Sequence, residues 1–260
     1  MARYKIFKNK IQIADLRFDE YLSESLLFFD KLESLLGSPP SILLTDTQDV
    51  IEERNRLWSE FGEAIENCRH KIRAINYNIS LIKSEIENPP IPQFESFSMN
   101  LDKKEFLDDV VLFEFESFLF QVISSLDVFV YLLKLFYPTL NSGRENEIGF
   151  KGMKKKAGKK TVKILRKAGE VDLANYIEGQ SREWIQKVYD LRNTVVHRSK
   201  VQDLQMFLIE DNGVAAPKLL DSETDLLEYC EEVYEKFKVF LNTIESDYLL
   251  GKAGDFYDAK

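Results

Sequence analysis

One short run in the chain combines residue types that can move protons beside an anion: Arg192-Asn193-Thr194-Val195-Val196-His197. A histidine titrates near neutral pH, so His197 can take up or release a proton there. An arginine stays charged and presents fixed donors, which suits Arg192 to stabilise negative charge that builds on a reacting group. Asn193 carries both a donor and an acceptor and can orient either of the others.

Other chemistries are poorly supplied. The chain has two histidines, His70 and His197, and two scattered cysteines, Cys68 and Cys230, so neither a zinc site nor another bound metal or cofactor is expected. Gly152 and Gly158-Lys159-Lys160 approximate a phosphate-binding loop, but the glycine spacing is one residue too long. Lys160 also stands where a metal-binding Ser or Thr belongs. There is no nucleophile elbow and no dinucleotide fingerprint. His70 lies in a charged stretch and reads as a surface residue.

The elements that must position Arg192 and His197 are helices. With 11 Gly and 7 Pro in 260 residues, breakers are sparse. A first helix is expected from about Asp15 to Leu36, ending at Gly37-Ser38-Pro39-Pro40. A second begins at the capping box Thr45-Asp46-Thr47-Gln48 and runs to Asn88. Its apolar residues, from Trp58 and Phe61 through Ile65, Cys68, Ile72 and Ile75 to Ile86, alternate by three and four like a coiled-coil seam. The two form an N-terminal hairpin, residues 1–95.

A third helix, from about Leu101 to Tyr137, is apolar on nearly every side and should be central and buried. One stripe of Asp109, Glu116, Asp127 and Lys134 runs down it, within about 20° of a line. Short helices are expected over Lys154–Lys167 and Ser181–His197, and Asp211-Asn212-Gly213 permits a small hairpin. A last helix starts near Asp221, and residues 251–260 form a loose tail.

On the Ser181–His197 helix, with Trp184 as zero, Arg192 projects at about 80°, inside the apolar arc, and His197 at about 220°, outside it. A buried guanidinium needs a carboxylate, and Glu116 and Asp127 on the central helix are the expected supports. Residues five apart sit about 140° around a helix. Arg192 and His197 therefore meet only if the helix breaks or a second copy of the chain completes the site.

The pattern Arg192-Asn193, three residues, His197, late in an all-helical chain, resembles the active motif of HEPN-domain ribonucleases. Phe118-Leu119-Phe120-Gln121-Val122-Ile123-Ser124-Ser125-Leu126-Asp127 resembles that family's earlier core helix. The likeness spans about residues 96–248, giving a HEPN-like bundle at 96–250 and leaving the N-terminal hairpin outside. Ser199 departs from the Tyr that some HEPN toxins carry two residues after the His. The resemblance implies an all-α fold and a homodimer whose motifs meet at the interface. It also implies metal-independent RNA cleavage by Arg192, Asn193 and His197, in a toxin or antiphage setting with an antitoxin or other partner protein. A non-catalytic HEPN scaffold that binds nucleic acid or a protein, and a plain coiled-coil interaction protein, are the alternatives.

Charge adds a nucleic-acid expectation. The net charge is -9, yet no acid lies between Glu147 and Glu170 among nine basic residues. Lys154, Lys155, Lys156, Lys159, Lys160 and Lys163, with Arg198 beside the motif, are the expected RNA contacts. No run is read as a membrane span, and reduced cysteines point to the cytoplasm.

Overall fold

The computed structural model describes residues 23–41, 46–87, 104–106, 109–142, 158–197, 207–210, 213–214 and 225–257. Side chains are described throughout these except at 104–106, 109–110, 142, 194–197, 207–210 and 213–214. The fold is an all-α bundle. Its helices are α1 (Asp30–Leu36), α2 (Gln48–Glu87), α3 (Asp109–Phe136), α4 (Lys159–Lys167), α5 (Val171–Gln180), α6 (Gln186–His197) and α7 (Leu226–Ile244).

The centre is α3. Phe115, Phe118, Leu119, Val122, Leu126, Phe129, Leu132 and Leu133 are all fully buried. Burying each such side chain contributes about 1.5–3 kcal/mol, so this helix organises the core. The periodic face of α2, including Phe61, Ile65, Cys68, Ile72, Ile75 and Ile82, is buried as the spacing requires. It is spent chiefly against α3 rather than α1.

By length and composition Val111–Phe136 could cross a membrane, contrary to the expectation from sequence. Among the described residues it is the single helix that could, and here it is the core of the bundle.

Three features depart from the sequence expectation. The first is a break in the first helix. Residues 23–26 are helical, residues 27–29 form a turn, and Phe29 takes φ 61, a left-handed conformation unfavourable for a residue with a Cβ. Tertiary contacts hold it there. The Phe29 ring is stacked on Phe129 at 6.2 Å between centroids. The buried Arg69 guanidinium donates to the carbonyls of Leu26 (3.1 Å) and Phe28 (3.2 and 3.1 Å) and to Glu33 at 2.7 Å. The restart at α1 is capped from far along the chain, where Glu245 Oε1 accepts from the Leu32 N–H at 3.1 Å.

The second is a short antiparallel sheet, order β1-β2-β3, of β1 (Lys104–Phe106), β2 (Phe207–Glu210) and β3 (Gly213–Val214). The β2–β3 pair is the hairpin expected around Asp211-Asn212-Gly213. β1 occupies residues expected to open the central helix, which instead begins at Asp109.

The third is the C-terminus, which is packed through Tyr257 rather than loose. Phe256 is buried against Phe136 (4.8 Å) and Phe61 (5.8 Å), and the Tyr257 hydroxyl donates to the Leu36 carbonyl at 2.6 Å. Residues 258–260 lie outside the described residues.

Glu245 makes stability depend on pH. Burial pushes its carboxyl above the ordinary value despite the cap hydrogen bond. A raised folded-state value means the contribution is complete below the unfolded value of about 4.3 and is lost as pH rises through the folded one. Glu114 and Glu116, also raised by burial, act in the same sense. The unfolding free energy should therefore decline as pH rises above the unfolded value of about 4.3, and Glu245→Gln, which keeps an acceptor for Leu32, should flatten the decline. An unchanged slope in that variant would remove Glu245 from the account.

Candidate functional site

The motif lies at the end of a long helical path. α5 and α6 are joined by a π turn, Ser181–Ile185, in which the Gln186 N–H donates to the Ser181 carbonyl. Helical backbone thus runs from Val171 to His197, starting ten residues earlier than the sequence suggested. Its base is anchored by Trp184, which meets the Phe237 and Phe240 rings edge-on at 6.4 and 6.2 Å. The Trp184 indole N–H donates to Gln180 at 2.8 Å.

The backbone stays helical through His197. Within one chain the positions of Arg192 and His197 are therefore about 140° apart on one helix, and no break within the pair brings them together. The side chains of Thr194–His197 lie outside the described residues, as do Lys154, Lys155, Lys156 and Arg198.

Arg192 points at α3, as the helical wheel required, but it has no carboxylate partner among the described residues. Its guanidinium carbon sits 4.4 Å from the centroid of the Phe120 ring. Nη1 donates to Asn193 Oδ1 at 3.2 Å. Its Nε is buried and has no hydrogen-bond partner among the described residues. The expected pairing with Glu116 or Asp127 is thus corrected to a cation–π contact with a neighbouring asparagine. Glu116 is half-buried on the same stretch of α3, and burial alone pushes its carboxyl upward. Asp127 is also half-buried.

The reason lies in the stripe itself. At about 100° per residue, Phe113, Phe120 and Tyr131 fall within about 40° of the line through Glu116 and Asp127. All three are exposed, at 64%, 41% and 47%, although Phe113 and Phe120 were expected to be buried. The free face of α3 is therefore mixed aromatic and acidic, and an aromatic ring stands where the arginine arrives. A count of all residues in phase with the stripe, rather than of its charges, would have found Phe120.

The basic segment is described from Gly158. α4 buries Thr161, Val162 and Leu165 and exposes Lys159, Lys163, Arg166 and Lys167, with Lys160 half-buried. Gly169, at φ 87, ends the helix: its N–H donates to Arg166 O (3.2 Å) and the Glu170 N–H to Leu165 O (3.0 Å). Arg166 is committed to Glu178 and Asn175, the latter at 2.9 Å. Lys159, Lys163 and Lys167, spaced by four, are left as an exposed stripe.

Among the described residues no group of three or more His, Cys, Asp or Glu is placed to hold a metal ion. Cys68 and Cys230 are free and buried, with the Cys68 thiol pushed up to about 12 by desolvation. A separate recess of about 420 Å³ is floored by Asn76 and Tyr234. Asn76 Nδ2 donates to the Tyr234 hydroxyl at 2.8 Å and to Glu24 at 3.0 Å, so this is an internally paired network.

No protein-family model matches the chain, and no curated protein and no solved structure is detectably similar to it.

Proposed function

We propose that the chain is a HEPN-type, metal-independent endoribonuclease that works as a homodimer. The observation that carries this reading is Arg192: a charged guanidinium on a partly exposed aromatic ring, with Asn193 beside it and His197 one turn and a half further on. In the reaction, the ribose 2′-oxygen attacks the adjacent phosphorus and the bond to the 5′-oxygen breaks. His197 handles the proton taken from the 2′-hydroxyl or delivered to the leaving oxygen. Arg192 bears the charge that builds on the phosphate oxygens. Because the two residues diverge around α6, Arg192 of one copy works with His197 of the other. The exposed Phe113 and Tyr131 on either side of the arginine give that second copy an apolar face to cover. A cytoplasmic toxin or antiphage role, held in check by an antitoxin or other partner protein, fits such an activity.

The test is incubation of the purified protein with single-stranded RNA in excess chelator. Fragments ending in 2′,3′-cyclic phosphate are expected, and RNA left intact contradicts the reading. One observation favours the alternative of a non-catalytic scaffold: Glu116 and Asp127 flank the arginine's platform and repel a polyanion. In that case RNA or a partner protein binds without being cut.

The Lys159, Lys163 and Lys167 stripe supplies a separable expectation. Changing all three to Ala should weaken RNA binding and lower the slope of log affinity against log salt by about 2, at about 0.7 per phosphate contact on single strands. An unchanged slope would take α4 out of the RNA path.

A further inference from the structure

We propose that Phe120 is a positioning residue, whose ring holds the Arg192 guanidinium so that its terminal nitrogens face the phosphate of bound RNA. This rests on the reading above in taking RNA as the anion. Three features of the geometry converge on it. The ring lies under the guanidinium carbon at 4.4 Å, which restricts the plane of the group. Asn193 Oδ1 takes one Nη1 donor at 3.2 Å and fixes rotation within that plane. Nε is buried and has no hydrogen-bond partner among the described residues, so that edge of the fork is closed to ligands. Only the terminal edge is left to meet an anion.

The choice of ring over carboxylate has a chemical consequence. A carboxylate partner would neutralise the guanidinium and compete with phosphate for the same donors. A ring face attracts the cation without using any donor, so Arg192 keeps its whole charge and the terminal donors that Asn193 does not take. Phe120 is still 41% exposed, so the platform is reachable from outside the bundle.

The test uses the full chain and a single-stranded RNA hexamer methylated at every 2′-oxygen, which can bind but cannot be cut. The Arg192 Nε–H resonance is assigned by its loss in Arg192→Lys. In wild type it should lie upfield through the ring current and move when the hexamer is added. In Phe120→Leu, which keeps an apolar side chain and the melting temperature, the upfield shift should vanish and hexamer affinity should fall about tenfold. Phe120→Tyr should restore both. Wild-type affinity in Phe120→Leu, or an Arg192 resonance unmoved by RNA, overturns the proposal. Cleavage of unmodified RNA separates the two ideas. If wild type binds the hexamer through Arg192 but cuts nothing, the ribonuclease reading fails and the role of Phe120 stands. If wild type cuts and Phe120→Leu cuts with the same KM, the role of Phe120 fails alone.

Discussion

His197→Ala and Arg192→Ala should each lower the rate of RNA cleavage by about 10²–10⁴-fold while leaving RNA affinity nearly intact in the first case. His197 is the single histidine in the motif, and the other histidine in the chain, His70, is exposed on α2, far along the sequence. α6 carries no other histidine. Arg192→Ala removes both a ligand contact and the charge that offsets the developing phosphorane, so it should raise KM as well as lower kcat. Arg192→Lys should rescue little, because an ammonium cannot present a planar fork over the Phe120 ring. These losses should come without loss of stability, since Arg192 is half-buried and holds no ion pair among the described residues. A falling melting temperature in step with activity would assign the motif a structural role instead.

The largest effect on stability is expected at Arg69. Its side chain is 2% exposed and is the shared partner of the Leu26 and Phe28 carbonyls and of Glu33. Arg69→Ala takes the donor from the buried Phe28 carbonyl and the part-buried Leu26 carbonyl and opens a cavity beneath the left-handed turn at Phe29. The expected cost is about 3–5 kcal/mol, a large share of the roughly 5–15 kcal/mol that holds a domain together. Arg69→Met fills the space but supplies no donor, so it should cost nearly as much. Glu33 is 47% exposed, and Glu33→Gln should cost under about 1 kcal/mol, because water screens that side of the pair. Urea unfolding of the three variants measures this order. A loss under about 1 kcal/mol in Arg69→Ala would mean that the turn holds itself.

Much of the bundle could be read from residue periodicity. The spacing in α2 and the density of Phe and Leu in α3 specify two long helices with buried faces, and both are present, although α2 buries against α3 rather than in the expected hairpin with α1. Asp211-Asn212-Gly213 marked the place of the hairpin, although Gly213 itself is a strand residue paired with Glu210. What escaped was set by contacts distant in sequence. Nothing local to Phe29 marks a left-handed residue; Phe129 and Arg69 hold it there. The π turn at Ser181 has no composition signal, and it hid the continuity of α5 with α6. At the site, the direction of Arg192 was legible because helix phase survives to the next packed helix. Its partner was not, because a wheel sorted by polarity pairs charge with charge, and Phe120 had been counted as core.

The central claim is that one catalytic site is built from two copies of the chain, and trans-complementation tests it most directly. Arg192→Ala and His197→Ala chains carrying different tags would be co-expressed and the mixed dimer purified through both tags. A shared site leaves one of the two centres intact in that dimer, so about half of the wild-type activity should return although each parent homodimer is inactive. A mixed dimer as inactive as its parents would contradict the account.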